Sequence, residues 1–216
     1  MVKKNDASTI KDEAKLRDIM GKTMDIAVEK NQPKLDKHCC EFISRSPFLC
    51  IGTSDANGNA DVSPRGDAPG FVQILNGRTI FIPDRPGNNR LDTMTNIVEN
   101  PNVGLLFIIP GYNDTLRVNG MAKIVNDETL MTNSEIKGRI PKVGILIDVR
   151  ETFLHCAKAF MRSKLWDSNS IQDRKEMPTL AHMILDQVAA PDAPPTIKEV
   201  EDADEFIDDN YKTGLY

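Results

Sequence analysis

A loop rich in arginine and asparagine follows an apolar run in the stretch IFIPDRPGNNRLDT. Arg85 and Arg90 flank Gly87, Asn88 and Asn89, and planar guanidinium groups suit a phosphate. Gly87 allows positive φ and close approach of the backbone. Asn88 or Asn89 is a good cap for a following helix, whose free N–H groups would face an anion. The spacing alone is equally compatible with a phosphate site and with a solvated surface turn.

A second loop, DVSPRGDAPG, also follows a strand-like run and places Arg65 between a proline and a glycine. The two loops lie on either side of the predicted FVQIL/RTIFIP hairpin. If they meet at one end of a sheet, they could hold a phosphate and an adjoining polyol. Asp67 could bind a ligand group or pair with Arg65.

A third cluster of candidate residues follows the last predicted strand. Lys158, Arg162 and Lys164 stand close to Trp166 and His155 in the sequence. The tryptophan could cover an aromatic ring or close a subunit interface, or it could be a core anchor beside basic stems. His155 is the nearest candidate for an acid or base, although a structural role suits it better. No catalytic residue is assigned.

Composition favours a protein that handles small molecules. The chain has 216 residues, 40% hydrophobic content and a net charge of −5, so no general basic field attracts nucleic acid or membrane surfaces. No apolar run approaches a membrane span, and we expect a cytoplasmic protein. The four cysteines fit reduced, mostly buried thiols, and no metal site is predicted.

The elements that must position these loops fall into three predicted parts. Residues 1–45 form a helical extension, with a first helix capped by Thr9; residues 46–167 form the main domain; and residues 168–216 form a helix, a proline-rich linker and an acidic tail. Asn57-Gly58 and Asn76-Gly77 mark hairpin turns in the main domain. About six antiparallel strands with flanking helices predict a small barrel, mainly β in content.

The main domain resembles a known family. The runs SPRGDAPGFVQI, TIFIPDRPGNNRLDT, NPNVGLLF and TLRVNGMAKI, taken together, are similar to the pyridoxamine 5'-phosphate oxidase-like family of FMN-binding split barrels. The closest likeness is to the branch of that family with SPRGD and RxGNNR loops. This resemblance covers most of the chain and implies a homodimer of six-stranded split barrels with FMN between the subunits.

The resemblance also assigns residues to FMN. The SPRGD loop would follow the ribityl and ring side, the end of the next strand would present its backbone to the flavin, and the RPGNNR loop would take the phosphate, with Arg85 a further phosphate candidate. A helix of the partner subunit would supply basic and aromatic side chains. The residues concerned are Ser63, Pro64, Arg65, Gly66, Asp67, Ile82, Pro83, Arg85, Asn88, Asn89, Arg90, Lys158, Arg162 and Trp166.

The sequence also departs from true pyridoxamine phosphate oxidases. The first loop reads RGDAPG without the lysine that binds their substrate, and no arginine and histidine cluster follows Trp166. The resemblance therefore implies the barrel and the flavin rather than vitamin B6 phosphate as substrate. Two functions remain open: an FMN-dependent oxidoreductase using a small molecule with NAD(P)H or oxygen, and a non-catalytic flavin- or haem-binding protein.

Overall fold

The computed structural model describes residues 9–216, so the predicted start of the N-terminal extension lies outside the described part. Seven strands form one sheet in the order β2-β1-β5-β6-β7-β4-β3, and every neighbouring pair is antiparallel. The strands are β1 (Phe48–Ser54), β2 (Ala60–Gly66), β3 (Gln73–Asn76), β4 (Thr79–Pro83), β5 (Asn102–Ile108), β6 (Thr115–Val125) and β7 (Gly144–His155).

The strand count corrects the prediction of a six-stranded barrel. There are seven strands, and β2 and β3 stand at the two ends of the pairing order. β3 has only four residues and carries a register shift between Ile74 and Asn76, so its pattern is too short for sequence periodicity to identify it clearly. The mixed architecture and the antiparallel pairing are as predicted.

Eight α-helices surround the sheet in the described part of the chain. They are α1 (Glu13–Met20), α2 (Asp25–Glu29), α3 (Lys37–Arg45), α4 (Asp92–Glu99), α5 (Glu128–Thr132), α6 (Lys158–Ser163), α7 (Leu180–Val188) and α8 (Ile197–Thr213). None of the helices between residues 9 and 216 is long and apolar enough to cross a membrane. The predicted acidic tail is mostly one helix, α8, and the division of the chain into three parts stays a prediction.

The N-terminal extension joins the sheet mainly through α3. Cys39 and Ile43 of this helix are buried in the core, and the Asp36 carboxylate caps the helix by accepting from the Cys39 N–H at 2.7 Å. In contrast, Ile19 and Met24 of this extension are exposed. The predicted Thr9 cap of the first helix is wrong.

Asp12 caps α1 instead, because its carboxylate accepts from the Lys15 N–H at 2.7 Å. The Asp12 carboxylate accepts a hydrogen bond from a free backbone N–H of the first turn, which is the role predicted for the threonine hydroxyl. The helix therefore begins at Glu13, later than the sequence pattern suggests.

The core lies on the inner face of the sheet. Ile51, Ile80, Phe107, Val118 and Ile147 are fully buried and come from five different strands. Their burial removes large apolar surfaces from water, which is the main term favouring the fold. This core holds β4 rigidly, and the arginine-rich loop begins directly at its end.

The two predicted hairpin turns differ in geometry. Gly58 has φ of 85° as expected, and the Asp55 carboxylate accepts from the Asn59 N–H at 2.8 Å. Gly77 does not adopt positive φ, and the Asn76 side chain instead accepts from the Arg78 N–H at 2.8 Å. A side-chain turn and a bulge replace the expected primed turn there.

Replacement of Gly144 by alanine tests how closely β7 and β4 approach. A Cβ at Gly144 would overlap the ring of Phe81 and crowd the Ile82 carbonyl oxygen, and neither group can move in the core. We expect Gly144→Ala to lower the free energy of unfolding by about 1–3 kcal/mol in urea titrations. Gly87→Ala is the control, because no atom lies within 4 Å of its added Cβ. Equal stability of the two variants would contradict this packing.

Candidate functional site

The two arginine-containing loops meet at one end of the sheet, as the sequence predicts. Together they line a cavity of about 480 Å³, here called the first cavity. This volume falls within the range of small-molecule sites. Its lining consists of residues 61–66, Phe71 and residues 83–94.

Two ion pairs cross between the loops. Arg65 Nη1 lies 2.9 Å from Asp84 Oδ1, and Arg85 Nε lies 2.6 Å from Asp67 Oδ2. The expected pairing of Asp67 with Arg65 is therefore wrong. Each arginine instead binds the acid of the other loop, because the loops converge only in the folded chain.

The Arg65 guanidinium keeps one unsatisfied donor. Its Nε is buried and has no hydrogen-bond partner within residues 9–216, and the Arg65 residue lines the first cavity. A buried donor without an acceptor costs about 1–3 kcal/mol, and such atoms are rare in folded proteins. The site therefore calls for an acceptor that the described chain does not supply.

The Arg85 guanidinium, in contrast, is well satisfied. Besides the Asp67 pair, its Nη1 donates to the Ser134 carbonyl oxygen at 2.8 Å. The Asp67 side chain is 1% exposed and also accepts from the Tyr216 hydroxyl at 2.9 Å. Arg85 lines the first cavity and Asp67 does not, so Asp67 holds the loop in place rather than facing this cavity.

The predicted phosphate end is built differently from the expected helix cap. α4 begins at Asp92, and Leu91 occupies the cap position with φ of 63° and no capping side chain. Asn88 accepts only from the Arg90 N–H, at 3.1 Å. Positive φ falls at Asn89 and Leu91 rather than at Gly87. The first turn of α4 nevertheless lines the first cavity, as an anion site at a helix N-terminus would require.

Arg90 is the most accessible cation of the site. Its side chain is 73% exposed, and its Nε pairs with Asp92 Oδ2 at 2.8 Å. An exposed pair of this kind contributes little to stability and exchanges its partner easily. A phosphate entering the first cavity could therefore displace Asp92 as the ion-pair partner of Arg90.

The other predicted residues fall into two groups. Ser63, Pro64, Gly66, Pro83 and the Asn88–Arg90 segment line the first cavity. Ile82 is buried in the core, and Lys158, Arg162 and Trp166 lie on or just after α6, outside this cavity of their own chain.

Trp166 is held against its own chain. Its Nε1 donates to the Tyr112 carbonyl oxygen at 2.7 Å, and its ring centroid lies 5.9 Å from that of Phe160. The indole is nevertheless 39% exposed, so a face remains for further contact. The hydrogen bond to Tyr112 anchors the ring, and the interface role considered from the sequence stays a prediction.

Two titratable groups have shifted pKa values near the sheet ends. Burial raises the pKa of Asp84, and the Arg65 guanidinium opposes this shift. Burial lowers the pKa of His155, with help from the positive charges of Arg117 and Lys30. His155 stacks near Phe153 rather than at the first cavity. Among residues 9–216, no three side chains of the metal-binding types cluster together.

Three functional contacts escaped the sequence reasoning. Asp84 partners Arg65, the Ser134 carbonyl oxygen binds Arg85, and Tyr216 binds Asp67. Asp84 is adjacent to Arg85 in the sequence, and this position could have indicated that Asp84 pairs with an arginine. Nothing in the sequence connects Ser134 or Tyr216 to loops so distant along the chain.

The fold therefore places an arginine-lined cavity at one end of an antiparallel sheet. The family model described as pyridoxamine 5'-phosphate oxidase matches residues 35–156, which is more than half of the chain. The chain belongs to this family. A search of curated proteins found no significant match.

Several solved structures resemble the main domain at low identity. HupZ from Group A Streptococcus is 18% identical, with a TM-score of 0.47 over 56% of this chain and 93% of that chain. General Stress Protein 26 from Bacillus anthracis is 17% identical, with a TM-score of 0.40 over 53% and 88%. HutZ from Vibrio cholerae, described as a heme storage protein, is 16% identical, with a TM-score of 0.39 over 56% and 94%. These similarities are too low to carry an argument about function.

Removal of the Asp67 carboxylate tests whether the buried pair holds the site together. Asp67→Ala leaves the Arg85 cation largely buried without its acid, and we expect a loss of about 3 kcal/mol in the free energy of unfolding. The control is Glu41→Ala, which breaks the exposed Arg45 pair and should leave the urea midpoint unchanged. Similar midpoints for the two variants would show that the buried pair does not stabilise the loops.

Proposed function

We propose that the protein is an FMN-dependent oxidoreductase acting on a small organic molecule. The observation that carries this proposal is the buried, unpartnered Arg65 Nε at the first cavity. A guanidinium N–H held in this way is suited to an acceptor atom of a planar, polar ligand. Family membership supports a flavin as that ligand.

The lining of the first cavity fits the parts of FMN. Arg90, Asn88, Asn89 and the first turn of α4 would hold the phosphate, because they combine a cation, amides and free N–H groups. The end of β2, with Ser63, Arg65 and Gly66, would adjoin the ribityl chain and the ring, while Asp67 would hold the following loop in place.

The charges of the first cavity are balanced before an anion enters. Asp84 and Asp92 pair with Arg65 and Arg90, and Asp61 accepts from the Thr93 hydroxyl at 2.9 Å. A phosphate would therefore bind by replacing Asp92 at Arg90. This exchange makes binding dependent on salt and on the charge of Asp92.

FMN, when bound, supplies the two-electron chemistry, and the chain supplies binding and orientation. Arg65 would donate from Nε to a ring acceptor while its pair with Asp84 keeps the guanidinium fixed. Pro64 and Pro83 line the cavity without N–H donors and offer flat apolar surfaces to a ring. A nicotinamide nucleotide or oxygen would be the redox partner, and the substrate would differ from vitamin B6 phosphate for the reasons given by the sequence.

The proposal includes a homodimer with FMN between the subunits. Lys158 and Arg162 lie on α6, and Trp166 follows it, so none of them reaches the first cavity of its own chain. In a dimer, the same residues of the partner subunit would complete that cavity. The exposed face of Trp166 would then contact the bound ring or the partner loop.

A non-catalytic haem-binding protein is the alternative function. Haem binding commonly requires an axial ligand such as histidine. None of His38, His155 and His182 lines the first cavity. We therefore prefer the flavin, and the spectrum described next distinguishes the two.

The absorbance spectrum of the purified protein tests the cofactor. Excess FMN is added and the unbound FMN is then removed. We expect flavin absorbance bands at about one FMN per chain, because charge-assisted contacts at the first cavity would retain the bound FMN. A haem-like Soret band, or no bound flavin, would contradict the proposal.

Arginine variants locate the flavin. Arg65→Ala and Arg90→Ala should each weaken FMN binding by about tenfold or more, since a hydrogen bond to a charged group contributes about 1.5–3 kcal/mol. Lys123→Ala is a matched control, because Lys123 is an exposed cation of β6 outside the cavity. Titration of FMN fluorescence gives the three affinities, and unchanged values in both arginine variants would place the flavin elsewhere.

Mixed dimers test whether Arg162 acts across the interface. Arg65→Ala chains and Arg162→Ala chains, refolded together, should form dimers of twice the 24.1 kDa chain mass with one intact site. That site combines the normal loops of one chain with the normal Arg162 of the other. We expect FMN binding to recover to about half a site per chain in the mixed dimers. No recovery would mean that Arg162 acts within its own chain, and normal FMN binding by the Arg162→Ala protein alone would mean that Arg162 does not contribute to the site.

A further inference from the structure

The C-terminal arm, defined here as residues 168–216, buries almost none of its apolar surface. It contains α7 and α8, and Ala181 is its only buried residue. The matched family region ends at residue 156, so family membership does not explain this arm. Large apolar side chains of both helices are exposed, namely Leu180, Ile184, Val188, Ile197, Phe206 and Tyr211.

The two helices of the arm lack the packing that a stable helix needs. α7 has nine residues, and helices this short are marginal in water without tertiary contacts. α7 and α8 pack against each other, but this contact leaves every large apolar side chain of the arm at least partly exposed. Exposed apolar surface of this kind marks an interaction site. The arm is therefore built to be covered by another surface.

The charge of α8 restricts what that surface can be. The helix carries seven carboxylates and two lysines, and Glu199 completes a capping box with Thr196. None of the seven carboxylates forms an ion pair within residues 9–216. Anionic lipid and nucleic acid both repel a helix of this charge. The surface that covers the arm is therefore a protein surface with positive charge.

A group of cations without acidic partners lies at the end of β7. This group, here called the basic patch, consists of Lys30, Arg117 and His155 around the Phe153 ring. Lys30 Nζ and Arg117 Cζ lie 5.2 and 5.1 Å from the centroid of this ring, and the His155 ring centroid lies 4.9 Å from it. Neither Lys30 nor Arg117 forms an ion pair in the described part of the chain. The basic patch thus complements the charge of α8.

The position of α8 favours a basic patch on a second copy of the chain. Tyr216 follows α8, and its hydroxyl donates to Asp67 at 2.9 Å, so the end of the helix is held beside the loops of the first cavity. The proposed dimer brings α6 of the partner to this same cavity. His155 stands only three residues before the start of α6. The acidic helix of one copy and the basic patch of the other therefore converge on one place.

We propose that the C-terminal arm packs on a second copy of this chain. The carboxylates of α8 pair with the basic patch of the partner, and the exposed apolar side chains of α7 and α8 are buried against it. In a symmetric dimer this contact forms twice. The inference rests on the proposed homodimer, but it does not require FMN to be the ligand of the first cavity.

Charge reversal tests the contact between the arm and the basic patch. One full-length variant carries Glu205→Lys and Asp209→Lys, one helical turn apart on α8, and the other carries Lys30→Glu and Arg117→Glu. In a dimer of either variant alone, like charges oppose each other. In a mixed dimer, α8 of each chain meets the opposite charge on its partner.

Native mass spectrometry separates the mixed dimer from the two homodimers after the chains are unfolded and refolded together. We expect mixed dimers to make up at least about three-quarters of all dimers, against about half for random pairing. The control mixes the α8 variant with a chain that carries Lys15→Glu and Lys123→Glu, two exposed lysines outside the basic patch. This control mixture should pair at random. Circular dichroism confirms that each variant is folded.

A pair of valines tests the apolar part of the contact. Val188 of α7 and Val98 of α4 are similarly exposed, at 74% and 76%. Val188→Ser should raise the dissociation constant of the dimer by about tenfold, because the arm loses apolar area and gains a hydroxyl at a covered position. Val98→Ser should leave the constant unchanged. Sedimentation over a dilution series gives both values.

Two results would overturn the inference. The first is random pairing of the two charge-reversed chains together with equal dissociation constants for the two serine variants, which would leave the homodimer in place without the arm. The second is a monomeric protein at every concentration, which would refute the proposed homodimer as well. A dimer that forms as expected but binds no FMN would refute only the proposed cofactor, so the two proposals are tested separately.

Discussion

The buried pair between Asp67 and Arg85 is the interaction on which the functional end of the molecule depends. A carboxylate that is 1% exposed can remain charged only with good partners, and Asp67 accepts from Arg85, from Tyr216 and from the Ala68 N–H. Arg85 also binds the Ser134 carbonyl oxygen. Four segments distant along the chain therefore meet at one charge pair. The first cavity is arranged around the loop that this pair holds.

The two arginines of this region have different roles despite similar sequence settings. Arg85 has partners on two sides and fixes the loop, whereas Arg65 is held by Asp84 and keeps a buried donor free. A fully hydrogen-bonded guanidinium contributes to the scaffold, whereas that of Arg65 keeps one donor without a partner among residues 9–216. The difference depends on which acid each arginine reaches. Local sequence does not decide this, because each arginine has an aspartate close to it in the chain.

The sheet supplies the rigidity that the loop requires. β4 lies between β3 and β7, and the close approach of Gly144 to Phe81 fixes where β4 ends. The loop from Asp84 to Asn89 therefore leaves a fixed point and lines the first cavity beside the start of α4.

The sequence by itself determined most of the strands, the antiparallel pairing, the two arginine-containing loops and the family. Those features follow from alternation of apolar residues, turn residues and local motifs, which act over a few positions. The cap of α4, the partners of Arg65 and Arg85 and the position of Tyr216 were decided only by the tertiary structure. Leu91 takes the cap position of α4 instead of the expected asparagine, and the preceding loop is held by the contacts of Arg85 with Asp67 and Ser134. Contacts between segments far apart in sequence depend on how the sheet brings the loop ends together. Local sequence patterns do not predict these contacts.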